Sequence, residues 1–351
     1  MEPTRGKNIL DVVLVKPDEL YRETKSAIRN ENPPLSPIEE ELENRGGHRL
    51  TWHRYHQYKD IDSYLGYLAK THNDICQTEV IGKSSEGRDL KLIKVSNGAA
   101  NKPAIWIDGG LHGREWISPA TVTYILLQLV EFRDQHPELL EAFDWYILPV
   151  GNPDGYEYSH TTDRLWRKTR SKWAACRGVD PNRNWDFHWG EGTVTTHDSC
   201  REDFAGPQAF SEPETRAMAE FLMAHREQIK IYLTLHSYSQ MWLVPWGYKN
   251  EKPKDYYDMY VLAEKGVQAL QSVRGTDYLL GTSPELIYAA SGGSDDWAKG
   301  VAGIKYSYTI ELPDKGNYGF VLPANQIEPV GEETWAAIKA IAQQFSQMTH
   351  S

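Results

Sequence analysis

Ala104-Ile105-Trp106-Ile107-Asp108-Gly109-Gly110-Leu111-His112-Gly113-Arg114-Glu115-Trp116 joins an apolar run to a glycine-rich turn, and Ser118-Pro119 follows closely. The apolar run from Pro103 to Ile107 reads as a short buried strand, and the apolar-periodic segment after Pro119 reads as a helix. Ser118 is a good N-cap with Pro119 at the first helical position, so that helix is expected to reach about Phe132. The strand exit therefore carries a histidine and a carboxylate three positions apart. If the turn curls like a helical one, His112 and Glu115 converge on one metal ion. The pair alone is a weak signal, because many loops and helices carry that spacing by chance.

Strands and helices alternate on either side of this stretch. Tyr55 to Thr71 has helical spacing, and Thr78 to Gly82 with Leu90 to Ser96 read as paired strands around Gly87. Asp144 to Val150 is the next strand, ending in the turn chemistry of Asn152-Pro153-Asp154-Gly155. Residues 156–210 show little regular pattern but many Arg, Asn, Asp and Trp, and so long an irregular stretch is usually functional. Ser211-Glu212-Pro213-Glu214 reads as a capping box for a helix to about Glu227. Ile229 to Leu235 and Ile304 to Ile310 are apolar strands, while Asp255 to Val273 and Glu333 to Met348 are amphipathic helices. The expected fold is α/β, a twisted, mostly parallel or mixed sheet with helices on both faces. Sites in such sheets lie beyond the carboxyl ends of strands, where His112, His236 and Glu311 all fall. Alone, His236 would read as a hydrogen-bonded core histidine; His160, His188 and His197 read as surface residues.

The 351 residues, 40% hydrophobic and 25% charged, suit one large soluble α/β domain or two smaller ones. Twelve tryptophans and twenty tyrosines favour a large core with aromatic-lined clefts. A net charge of −11 argues against nucleic acid and anionic membrane as partners and mildly favours a cationic substrate. No apolar run approaches the roughly 18 residues of a membrane span, so none is expected. Of three cysteines, Cys176 and Cys200 bracket a loop where a disulfide would be useful, leaving Cys76 as a buried thiol. That pairing suggests an oxidising compartment, although Met1-Glu2-Pro3-Thr4-Arg5 has no signal-peptide texture.

Residues 1–47 differ from the rest. Asn8 to Val15 reads as a strand and Pro17 to Asn30 as a helix, followed by Pro33, Pro34 and Pro37. One strand and one helix bury too little to fold alone. Arg45, before two glycines, reads equally as a trypsin-like cleavage site and as an ordinary linker arginine.

His112-x-x-Glu115 with His236, Leu165-Trp166-Arg167-Lys168-Thr169-Arg170 and Asp180-Pro181-Asn182-Arg183-Asn184-Trp185 together resemble the pancreatic-type zinc metallocarboxypeptidases. Ile287-Tyr288 before Ser291-Gly292-Gly293-Ser294, and Ile310-Glu311-Leu312, extend the likeness over about residues 48–351. The resemblance implies an eight-stranded mixed sheet and a secreted, monomeric enzyme made as a zymogen; residues 1–47 would be part of a propeptide removed by a trypsin-like protease, and residues 48–351 the catalytic domain. It implies one zinc ion held by His112, Glu115 and His236, with Asp180 orienting a ligand histidine. Glu311 would be the general base and Arg167 the oxyanion donor. Asn182 and Arg183 would bind the carboxylate at the C-terminus of a peptide or protein substrate, and Tyr288 would close over it. Arg114, Tyr238 and Phe320 resemble residues of neighbouring subsites. Without the resemblance, Arg167 with Arg164, Lys168 and Arg170 reads as a solvated basic loop, and Asp180 as a turn cap.

Asp295 stands where the family's pocket floor is apolar in A-type and aspartate in B-type enzymes. A buried carboxylate is unfavourable unless paired, so the expected guest is a C-terminal Lys or Arg. Two rivals stand beside this reading: an A-type enzyme with Asp295 paired internally, and a metal-free binding module of the same fold. Pro313, just after the Glu311 strand, departs from the family pattern.

Overall fold

The computed structural model describes residues 47–173, 175–192 and 196–350. The expected strand at Asn8, the helix at Pro17 and Arg45 lie outside the described residues. Eight strands run β1 (Cys76–Lys83), β2 (Asp89–Val95), β3 (Ala104–Asp108), β4 (Asp144–Leu148), β5 (Ile229–Ser237), β6 (Met241–Leu243), β7 (Leu279–Gly281) and β8 (Tyr306–Leu312). They form one sheet in the order β1-β2-β4-β3-β5-β8-β6-β7. The pairs β3–β4, β3–β5, β5–β8 and β6–β7 are parallel, and β1–β2, β2–β4 and β6–β8 antiparallel, so the sheet is mixed and mostly parallel.

The helices are α1 (Tyr58–Thr71), α2 (Ile117–Val130), α3 (Pro137–Ala142), α4 (Pro153–Thr161), α5 (Pro213–His225), α6 (Tyr256–Arg274), α7 (Ser283–Leu286), α8 (Ser294–Gly300) and α9 (Ile327–His350). Successive strand residues point to opposite faces. Ile105, Ile107, Ile231, Leu233 and Leu235 join one core with α1, α2, α6 and α9. Trp106, Tyr146 and Tyr232 face the other way into a second core with α5 and α8. Every residue of β3 is buried, as the uninterrupted apolar run requires of a strand covered on both faces.

Several expected boundaries change. α2 begins at Ile117 behind Trp116, with no side-chain cap. The Ser118 hydroxyl instead donates to the Leu235 carbonyl at 2.6 Å and accepts from Gly110 N–H at 3.0 Å. Those backbone groups are buried at a strand exit and have a stronger claim on the hydroxyl than the helix start does. The capping box at Ser211 does not form either: α5 starts behind Glu212 without a side-chain cap, and Ser211 Oγ meets Glu212 Oε1 and Asn184 Nδ2. Asn152-Pro153 opens α4 rather than a turn, with Asn152 Oδ1 accepting from Gly155 N–H at 2.9 Å. An Asx turn and an Asx N-cap share that first hydrogen bond, so local sequence does not separate them. α9 starts at Ile327, ahead of the expected Glu333.

Cys176 and Cys200 form a disulfide, and Cys76 is a buried thiol pushed up to about 12 by burial. Among the described residues no helix is long and apolar enough to cross a membrane.

Candidate active site

The loop leaving β3 is built to hold two side chains still. Gly110 takes a left-handed φ of +62°, which a side chain would strain. A Cβ at Gly113 would run into the Gly155 carbonyl, so the loop packs backbone to backbone against α4. Asn152 Nδ2 donates to the Leu111 and Lys168 carbonyls, both at 3.0 Å, and Gly113 N–H donates to the Arg167 carbonyl at 3.0 Å. Within the loop Glu115 N–H reaches the His112 carbonyl, the helix-like curl that brings both side chains to one side.

His112 Nδ1 lies 2.7 Å from Glu115 Oε1, and His236 Nδ1, at the end of β5, lies 2.9 Å from Glu115 Oε2. The two Nδ1 atoms are themselves 3.1 Å apart, and all three side chains are buried. Two imidazole lone pairs and a carboxylate turned on one point are a cation site, and a His₂Glu set suits zinc with a coordination position to spare. The electrostatics agree. Burial alone would raise Glu115, yet His112 and His236 hold it far below the usual carboxylate range. Burial alone would lower His236, yet Glu115 overcomes it and raises the ring to about 9. His112 is lowered by burial and by Arg167.

Asp180, fully buried, organises the next layer. Its Oδ1 lies 3.0 Å from His112 Nε2 and accepts from Asn182 N–H, while Oδ2 accepts from Arg167 Nε at 3.0 Å and Nη2 at 2.8 Å. Burial would raise this carboxyl, but Arg167, Arg183 and His112 hold it well below the usual range. Glu311, on β8, is the register partner of His236 on β5. Burial, aided by Glu115, raises it to about 7 against the pull of His236, Arg167 and Arg183.

Arg183 Nη2 donates to the Tyr288 hydroxyl at 3.2 Å, and Tyr288 is 42% exposed on its loop. Asn182 Oδ1 accepts from Ser294 N–H at 2.9 Å, joining this corner to α8. Arg114 lies over the Phe320 ring at 4.2 Å, and Phe320 meets Tyr238 edge-on at 4.9 Å. Asp295, in the first turn of α8, is raised by burial and eased by backbone N–H groups, His236 and the Thr309 hydroxyl. Its neighbour Asp296 accepts from Gly247 N–H and Tyr248 N–H and is fully committed there.

The sequence model of a family described as zinc carboxypeptidase matches residues 61–337. The chain belongs to the zinc carboxypeptidase family. It is 49% identical over 306 residues to carboxypeptidase B of Astacus astacus, covering 86% of this chain and all of that protein. It is 43% identical to zinc carboxypeptidase A 1 of Anopheles gambiae, covering 84% and 69% of the two chains. The structure of bovine thrombin-activatable fibrinolysis inhibitor in complex with tick carboxypeptidase inhibitor matches with a TM-score of 0.78 at 39% identity, covering 84% and 98%.

This zinc carboxypeptidase treats its basic segment differently from a solvated loop. Arg164 lies 3.6 Å over Trp116 and donates to the Arg114 and Phe320 carbonyls; Arg167 grips Asp180; Lys168 Nζ donates to the Ser199 carbonyl. Composition hides this, because the ring and carbonyl partners come from distant segments. Two further residues of the carboxypeptidase site escaped sequence reading. Asn152, which pins the ligand loop, looked like turn chemistry. Thr309, beside Asp295, was detectable only through its two-residue spacing from Glu311, which puts both on one face of β8.

Proposed function

We propose that this zinc carboxypeptidase removes C-terminal Lys or Arg from peptides and proteins, within a catalytic domain spanning residues 48–351. The observation that carries the basic preference is Asp295: a half-buried carboxylate in the first turn of α8 with no Lys or Arg partner among the described residues. A cationic guest would supply that partner; an apolar one would leave the charge unpaired. Among the described residues no Lys or Arg pairs with Asp295, which speaks against the rival in which it is paired internally. Relatives named A and B stand at similar identity, so the names do not decide between them.

His112, Glu115 and His236 would hold one zinc ion. Bound there, zinc supplies a Lewis acid that polarises the scissile carbonyl and makes water more acidic. Glu311 takes a proton from the attacking water on its carboxylate and hands it to the leaving amine, a role suited to a carboxyl near 7. Arg167, with Nε and Nη2 anchored on Asp180, presents its outer N–H edge to the developing oxyanion. Asn182 and Arg183 take the substrate's terminal carboxylate, and Tyr288 folds over it and excludes water. Arg114, Tyr238 and Phe320 form the wall for residues further from the terminus. Asp180 holds His112 in the tautomer that turns Nδ1 inward.

The disulfide suits an extracellular location, and residues 1–47 fit an activation segment cut after Arg45 by a trypsin-like protease. The deciding experiment is hydrolysis of matched peptides ending in Arg or Phe after trypsin treatment. Faster release of Arg is expected; faster release of Phe would overturn the basic preference while leaving the enzyme class intact.

A further inference from the structure

A cavity of about 550 Å³ opens beside the β1–β2 turn, lined by Ser85, Glu86, Arg170, Ser171, Lys172 and Arg177. Three of these six residues are cations and one is an anion, on a chain whose net charge is −11. Lys172 and Arg177 are exposed and are direct partners in an isolated antiparallel bridge, an arrangement in which like charges oppose each other. Arg177 is held in place by its neighbour Cys176, tied through the disulfide to Cys200. Arg170 is only 9% exposed and lies against the Tyr158 and Trp166 rings at 3.6 Å and 4.4 Å. Packing fixes its guanidinium; Arg170 Nε is itself buried without a hydrogen-bond partner and stands in an ion pair with Glu86 Oε1 at 4.0 Å.

The nearby acids balance these charges only in part: Glu86 Oε1 faces Arg170 Nε at 4.0 Å, and Glu86 is shared with Arg88. Asp154 is fully engaged by Ser84 Oγ, Ser85 Oγ, Glu86 N–H and Arg88 Nη1. Glu86 Oε2 is taken by Arg88 Nη1 at 2.8 Å. Glu212 accepts from the Thr169 and Ser211 hydroxyls, and burial raises both Glu212 and Glu214 so that they resist ionisation. What remains is one packed guanidinium and two exposed cations around a cavity.

We propose that this cavity binds a tetrahedral oxyanion, a phosphate or a sulfate, with Arg170 at its base and Lys172 and Arg177 at its mouth. Arg N–H groups give such an anion directional hydrogen bonds, and Lys172 adds a point charge at the mouth. The volume exceeds that of the bare ion, so the anion is expected as an ester on a small carrier.

The test is calorimetric titration of the whole protein at fixed ionic strength with inorganic phosphate, inorganic sulfate, glucose 6-phosphate and glucose 6-sulfate. Saturable binding is expected, weakened about tenfold or more in the double variant Lys172→Ala/Arg177→Ala, whose thermal midpoint without anion stays at the parent value. Tighter binding of the phosphate or of the sulfate pair tells which ion the site takes. Glu86→Gln, which removes the only carboxylate lining the cavity among the described residues, should tighten binding. The proposal falls if none of the four compounds saturates the protein, or if the double variant binds as the parent does, which would put the anion at the metal centre or at Arg183 instead.

Discussion

Asp180 shows how much one residue can hold together. The same carboxylate touches a candidate metal ligand, His112, and the candidate oxyanion donor, Arg167. Sequence placed it near His112 only through the motif resemblance; its grip on Arg167 was not legible, because they lie thirteen positions apart along irregular chain. Glu311 was easier to find, since a carboxylate ending a buried apolar strand has poor reasons to be there. Glu311→Gln removes the proton acceptor and keeps the shape, so kcat is expected to fall by roughly 10²–10⁴. Steady-state kinetics with zinc content measured alongside checks it: a variant that keeps both metal and rate would remove Glu311 from the reaction. At the pocket, Asp295→Ile should invert the preference between Arg- and Phe-ended peptides. The Arg substrate loses a buried ion-pair partner, worth roughly 3–5 kcal/mol, or about two orders of magnitude or more in kcat/KM. An isoleucine variant that still prefers Arg would defeat the pocket argument.

Elements were legible in proportion to their length and burial. β3, β5 and β8 stand out as apolar runs, and α6 and α9 as amphipathic repeats. β6, β7 and α7 span three or four residues, too short for any period to declare itself. Helix starts were the poorest reading, since Ser118, Ser211 and Asn152 are all good caps on paper and only Asn152 serves as one. The first turn of α5 carries its own prediction. Glu214 accepts from Ser85 N–H at 2.9 Å through Oε1, while Oε2 is buried without a partner, and burial pushes the carboxyl up to about 8. The folded state therefore binds this proton more tightly than the unfolded chain, whose carboxyl titrates near 4.5. That contribution to stability is complete below about 4.5, falls as pH rises, and is gone above about 8. Glu214→Gln keeps the acceptor and loses the charge. Its thermal midpoint should match the parent at pH 4 and exceed it increasingly up to pH 9, with a ceiling on the order of a few kcal/mol. Parallel melting curves across that range would refute the burial argument.

At the scale of the whole molecule, the candidate ligands hang from a scaffold that does not depend on the ion for its core. His112 and Glu115 sit on a loop pinned by Asn152 and Ser118, and His236 ends a nine-residue buried strand. Removing zinc by a chelator should abolish peptidase activity and lower the thermal midpoint by the lost binding free energy, while the far-ultraviolet circular dichroism stays unchanged. Re-addition of zinc should restore both. Collapse of the secondary structure on chelation would mean that the metal folds the domain, as it does in small zinc modules. The sheet and its two flanking layers were legible because alternation of buried strands and helices leaves few other folds. The assembled site was not, because its parts meet only after segments from residue 112 to residue 320 have been folded onto one rim.

His236 and Glu311 are register partners on two parallel strands, so their separation is set by the spacing of the β-ladder. Tyr288, Asp295 and the Arg183 corner hang instead from loops and short helices. If the proposed roles hold, exchanging the segment from 283 to 300 should retarget the enzyme without changing the His236–Glu311 spacing. On that assignment, recognition is the replaceable part of this molecule, and chemistry is its chassis.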